Sequence, residues 1–267
     1  MSDVRVQCLL AIFIENKMVI KIEELELFDG NSYREQKETF ELRKRKDGHL
    51  IKSKNRVQQH GEVFTPKWMV KKMLATPEIQ EKIYDLHATF LEPSAGEGAF
   101  LTEILHQKLS YVGQISNKKD WTVNALWVLM SIYAIEYLED NLIKAREAMM
   151  DVLVNHYQSF FQKKLSARSE FFKSAKLIIT LNIVQGNTLT YETRSGAQIT
   201  FNDWQKVSND EVLRVPFTYK SLFEDEEEVQ LDLFGENGQL ELFGEKDNCP
   251  KRYKPVKVTK IYREELG

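Results

Sequence analysis

Phe90-Leu91-Glu92-Pro93-Ser94-Ala95-Gly96-Glu97-Gly98-Ala99-Phe100-Leu101 decides how this chain is read. A short apolar strand ends on an acid, turns through two glycines and runs into a helix. Glycine at both turn positions lets the backbone approach a ligand without a Cβ in the way, and the start of the following helix offers unpaired N–H groups. Such a site is built mainly from backbone and suits a nucleotide-like cofactor.

The details narrow the cofactor. The chain holds no G-x-x-x-x-G-K-[ST], so no lysine follows the loop to meet a terminal phosphate, and Gly96-Glu97-Gly98 lacks the third glycine of the dinucleotide fingerprint. Glu97 inside the loop would also repel a pyrophosphate. An acid beside the loop suits a ligand that carries an ammonium group and a ribose, as S-adenosylmethionine does.

With these residues in view, Glu92-Pro93-Ser94-Ala95-Gly96-Glu97-Gly98-Ala99-Phe100-Leu101 resembles the first cofactor motif of adenine-N6 DNA methyltransferases of the restriction-modification type. Upstream, Gly61-Glu62-Val63-Phe64-Thr65-Pro66-Lys67-Trp68-Met69-Val70 resembles the Phe-Thr-Pro segment that precedes that motif in the same family. The resemblance covers roughly residues 56–190. It implies a doubly wound, Rossmann-like α/β core that binds S-adenosylmethionine. Thr65 and Pro66 would line its methionine end, and Glu92, Pro93, Ser94, Ala95, Gly96 and Gly98 would cradle it.

Working outward, helical spacing begins at Pro66, with Trp68, Val70, Met73 and Leu74 on one face, and Pro77 opens a further helical turn towards Tyr84. After the glycine loop, Phe100, Leu101, Ile104, Leu105 and Leu109 form an apolar stripe suited to packing on a sheet. An apolar helix over residues 123–132 leads to a second buried strand, residues 131–136, ending in Glu136. An acid at that position in a doubly wound sheet reaches a pair of ribose hydroxyls, since one carboxylate accepts two hydrogen bonds. A long helix through Val152, Val154, Phe160 and Phe161 follows, and residues 176–184 read as a third strand entering Gln185-Gly186-Asn187-Thr188. The resembling family carries an acid in this turn, facing the cofactor's adenine amino group. Asn187 stands there instead, and its amide oxygen accepts the same bond with less strength than a charged group.

Adenine-N6 transfer needs the target base held by acceptors while a ring stacks on its face. The family uses an Asn/Asp/Ser-Pro-Pro-Tyr segment, yet no two of the six prolines here are adjacent. No catalytic residue is therefore assigned. The resemblance implies a split enzyme, with a second polypeptide carrying the catalytic and DNA-reading elements and with this chain inactive alone. The contrasting expectation is a non-catalytic scaffold.

The 267-residue sequence as a whole is ordinary for a globular protein, with 42% hydrophobic residues. The uncharged apolar run over residues 8–14 is too short for a membrane span, so no membrane association and a cytoplasmic location are expected. Cys8 and Cys249 suggest neither a disulfide framework nor a metal cluster. A formal net charge of -3 conceals a basic block, Arg43-Lys44-Arg45-Lys46 with Lys52, Lys54 and Arg56, and an acidic run over residues 224–228. The block reads equally as a DNA-phosphate contact or as a solvated linker.

Residues 4–14 and 18–22 read as a hairpin around Glu15-Asn16-Lys17, and residues 32–46 as an exposed helix. The organisation expected is an N-terminal hairpin, helix and linker over 1–58, the cofactor-binding core over 59–190, and a β-rich extension over 191–267. In that extension Gln230-Leu231-Asp232-Leu233-Phe234 recurs nine residues on as Gln239-Leu240-Glu241-Leu242-Phe243. Each copy resembles the peptide by which bacterial replication proteins dock on the sliding clamp, and the intervening Asn237-Gly238 favours a hairpin over that partner. Residues 256–262 read as a last strand, available to a partner.

Overall fold

A computed structural model describes residues 9–14, 17–22, 65–208, 210–223 and 253–263. The expected helix at 32–46, the basic block, both cysteines, the acidic run and the two Leu-Phe repeats lie outside the described residues.

The chain is mixed α/β. Strands β1 (Leu9–Ile14) and β2 (Lys17–Ile22) form an antiparallel hairpin in which Ile14 pairs with Lys17, so Lys17 belongs to the second strand rather than to the turn. Helices α1 (Lys67–Leu74) and α2 (Pro77–Ile83) precede β3 (Phe90–Glu92), and α2 starts on Pro77, where a missing N–H costs nothing. Then come α3 (Ala99–Ile115), α4 (Trp121–Met130), β4 (Ile132–Glu136), α5 (Glu139–Phe161), α6 (Glu170–Asn182) and β5 (Ile183–Gln185). The main sheet has the order β2-β1-β3-β4-β5, with β3, β4 and β5 parallel and β1 antiparallel to β3. Every residue of β3 and β4 is buried, as expected for parallel strands covered on both faces.

One strand is shorter than its sequence suggests. Residues 176–182 are helical, and only Ile183, Val184 and Gln185 are strand. The apolar run Leu177-Ile178-Ile179 satisfies either period, and the N-cap decides: Ser169 Oγ accepts from the Phe172 N–H at 3.2 Å and starts a helix. Phe171, Ala175, Ile178, Ile179 and Asn182 then fall on its buried face. Two helices, not one, therefore separate β4 from β5. They close around Trp121, 1% exposed, whose ring lies 5.5–6.0 Å from those of Tyr157, Phe160, Phe161 and Phe171.

The C-terminal part forms a second, antiparallel sheet, β6 (Thr200–Lys206), β7 (Glu211–Thr218) and β8 (Val256–Lys257). The expected last strand is cut to two residues, and Val258–Arg263 turns into a 3₁₀ helix with Val258 and Ile261 buried. Ser174 Oγ on α6 donates to the Thr259 carbonyl at 2.9 Å, so this segment docks on the chain's own helix. Ile199, Phe201, Trp204, Val212, Tyr219, Val258 and Ile261 join the same apolar core as the main sheet.

Two buried polar side chains fix the frame. Asn182 Nδ2 donates to the carbonyls of Leu129, Met130 and Ile132 at 3.1–3.3 Å, while its Oδ1 accepts from Trp204 Nε1 at 3.0 Å. One side chain thus ties the end of α4, the root of β4 and the second sheet to α6. Lys108, on the apolar face of α3, is fully buried; its Nζ donates to Asp85 O at 2.9 Å, Ala88 O at 2.7 Å and Ser131 Oγ at 2.9 Å. These three oxygens, with Leu86 O further off at 3.5 Å, surround the ammonium at the roots of β3 and β4, although burial pushes it down to about 7. Lys108→Met fits the shape but leaves those acceptors without a donor. It is expected to lower stability by about 2–4 kcal/mol, read as a lower denaturant midpoint.

Candidate functional site

The carboxyl ends of β3, β4 and β5 lie side by side, and the loop leaving each strand is tied to its neighbours. From β3, the Ala95 N–H donates to Ile135 O at 3.0 Å and the Gly96 N–H to Glu136 Oε2 at 2.6 Å. Glu136, buried at the end of β4, also accepts from the Leu138 N–H through Oε1 at 2.8 Å. From β5, the Gly186 N–H donates to Glu136 O at 3.2 Å, Gln185 Nε2 to Tyr137 O at 3.1 Å, and Thr188 Oγ1 to Pro93 O. The glycine loop is therefore held by both of the strands beyond it.

The glycines answer different needs. Gly96 has φ +55° and open space where a Cβ would stand, whereas Gly98 has φ +86° and a Cβ there would lie 3.2 Å from Ala145 Cα on α5. Gly98 is also the residue that opens α3, with its N–H on Ala95 O at 2.9 Å and its carbonyl accepting from Thr102. The helix start can approach α5 this closely only without a side chain. Glu97 turns outward, with Oε1 2.7 Å from Lys144 Nζ, so its charge meets a lysine of α5.

Two carboxyl groups are buried here. In the parallel register Glu92 pairs with Ala134, which places Glu136 two residues further along β4 and on the same face. Glu92 is 7% exposed and Glu136 6%. Burial pushes the Glu92 carboxyl from 4.5 up to about 8, the Glu136 charge adds to this, and the Ser94 N–H, donating to Oε1 at 3.1 Å, opposes it.

Of the residues singled out from sequence, Glu92, Pro93, Ser94, Ala95, Gly96, Gly98 and Glu136 come together at this end of the sheet. Asn187 stands beside them, just after β5, with its Oδ1 accepting from the Leu189 N–H at 2.9 Å and its N–H on Glu192 O. One lone pair of its amide oxygen thus serves the turn. Thr65 and Pro66 are half-buried at the start of α1, where the Pro66 carbonyl caps the helix by accepting from Met69 and Val70. That helix packs on α3, which leaves the glycine loop. Sequence reading missed Thr188, Gln185 and the 44%-exposed Tyr137, whose ring lies 5.8 Å from the Arg194 guanidinium. Adjacency to Asn187 and Glu136 was the one available signal.

The fold and site define a mixed α/β protein with three parallel strands and a strand, glycine loop and helix unit compatible with a Rossmann-like fold. A scan against protein-family models, a search of curated proteins and a search of solved structures each gave no match. Among the described residues no helix is long and apolar enough to cross a membrane, and no group of three or more His, Cys, Asp or Glu is arranged to hold a metal ion.

Two stability measurements probe this geometry. Gly98→Ala combines a left-handed backbone with the contact on Ala145 and is expected to cost about 2–3 kcal/mol, against about 1 kcal/mol for Gly96→Ala, by chemical denaturation. The folded state holds the Glu92 proton between its ordinary pKa of 4.5 and about 8. The stability this group contributes is complete below the lower value and is lost as pH rises through the upper one. The denaturation midpoint should therefore fall between pH 5 and pH 9 by an amount that Glu92→Gln removes.

Proposed function

We propose that this chain binds S-adenosylmethionine as part of a DNA adenine-N6 methyltransferase, with base holding and methyl transfer completed by elements outside these 267 residues, on a second polypeptide. One observation carries the reading: three loops at the carboxyl ends of adjacent parallel strands converge on two buried carboxyl groups and a glycine turn. Ligands of open α/β sheets bind at that end. Running β5-β4-β3, the order corresponds to one half of a doubly wound sheet, while the strand beside β3 on the other flank is the antiparallel β1.

The donor set suits this cofactor. Buried carboxylates favour a cationic ligand and oppose a phosphate, and the positive-φ glycines keep side chains off the loop. When bound, the cofactor would supply an activated methyl group. Glu136 would accept from the ribose hydroxyls, Glu92 would face the positive charge, and the backbone from Pro93 to Gly98 would follow the ligand's length. Asn187 would meet the adenine ring, and Thr65 and Pro66 the methionine end. DNA would be reached through the complex with the second polypeptide.

Calorimetric titration of the full chain with S-adenosylmethionine tests the assignment. Saturable binding that Glu136→Ala weakens by about tenfold or more, a loss of about 1.4 kcal/mol, is the expected result. The chain alone should transfer no methyl group to DNA. Absence of binding, or unchanged affinity in Glu136→Ala, would remove the cofactor assignment.

A further inference from the structure

This inference rests on the proposed cofactor reading and concerns how the same site handles charge. Glu92 and Glu136 occupy one face of the sheet at the ends of neighbouring strands, both more than nine-tenths buried. Glu136 accepts two short bonds from backbone N–H groups, at 2.6 and 2.8 Å, whereas Glu92 accepts from the Ser94 N–H at a longer 3.1 Å. Donors to a carboxylate favour its charged form. Glu92, buried and with the longer donor bond, is the member of the pair that takes a proton.

The other charged groups at this end of the sheet do not reverse that assignment. Lys144 on α5 is paired with Glu97 of the loop at 2.7 Å. Arg146, also on α5, is directed to the carbonyls of Thr180 and Ile183. Arg194, in the turn after β5, lies over Tyr137. A ligand that brings a positive charge favours the ionised form of Glu92.

We propose that Glu92 holds a proton beside Glu136 before ligand binds and that a cationic ligand of the S-adenosylmethionine type displaces it. The exchange balances: the Glu92 O–H bond breaks, its electron pair stays on the carboxylate, the proton passes to buffer, and one positive charge enters as one leaves. Binding couples to pH, and a neutral ligand of the same shape gains nothing from the exchange. The second carboxyl group sets selectivity for charge rather than adding a hydrogen bond.

Calorimetry of the full chain with S-adenosylmethionine at pH 7, in phosphate and in Tris, reads the proton directly because the two buffers differ in ionisation heat. The expected result is release of about one proton, with affinity rising by about tenfold per pH unit from pH 6 to 7. Glu92→Gln should bind with no proton released. Equal heats in the two buffers with binding intact would overturn the proposal and leave the cofactor reading standing. An infrared band of a protonated carboxyl, measured without ligand, provides an independent reading. It should be present at pH 6, fade above pH 8 and be absent from Glu92→Gln, and its absence from the wild-type chain at pH 6 overturns the proton on Glu92 whether or not the cofactor binds.

Discussion

Everything at the carboxyl end of the parallel strands depends on the Glu136 side chain. It accepts from Gly96 in one loop and from Leu138 in its own, while its carbonyl takes the Gly186 N–H from a third. A backbone loop with two glycines has high conformational entropy, and only external bonds hold it in one shape. The charged acceptor supplies them. The residue expected from sequence to reach a ribose is thus also the residue that builds the loop.

This double duty explains how much of the site was legible. The strand, turn and helix over residues 90–101 follow from local chemistry, so their positions emerge from the sequence almost as they stand. Glu136 was found because a buried strand ending in an acid is itself a local pattern. Thr188 and Gln185 were invisible because their roles consist of contacts with Pro93 and Tyr137, residues far away in the chain. Asn187 was read as an acceptor for a ligand, and its Oδ1 accepts from the backbone N–H two residues on.

The misread strand has the same cause. Leu177-Ile178-Ile179 is compatible with either period, and the deciding feature, the Ser169 cap, lies upstream of the apolar run. The last segment misled for the opposite reason. Val256 to Lys257 does pair in a sheet, and then Val258 and Ile261 find the groove beside α6, where a helical turn buries both. Lys108 could not be read at all: a lysine on an apolar stripe looks like an error until the three oxygens around it are seen.

The junction between β1 and β3 sets the order in which the sheet is put together. Within the hairpin six residue pairs form between strands that adjoin in sequence, but only Ala11 with Leu91 and Ile12 with Phe90 join the hairpin to the parallel strands. Ala11 and Leu91 are 80 residues apart (91 − 11), and closing a loop of that length costs on the order of 4 kcal/mol in chain entropy. Two residue pairs offset little of that until the parallel strands already present a finished edge. The hairpin therefore assembles early as a local unit and joins the sheet late, and it is also the piece whose departure leaves the glycine loop, Glu136 and the β5 turn in place.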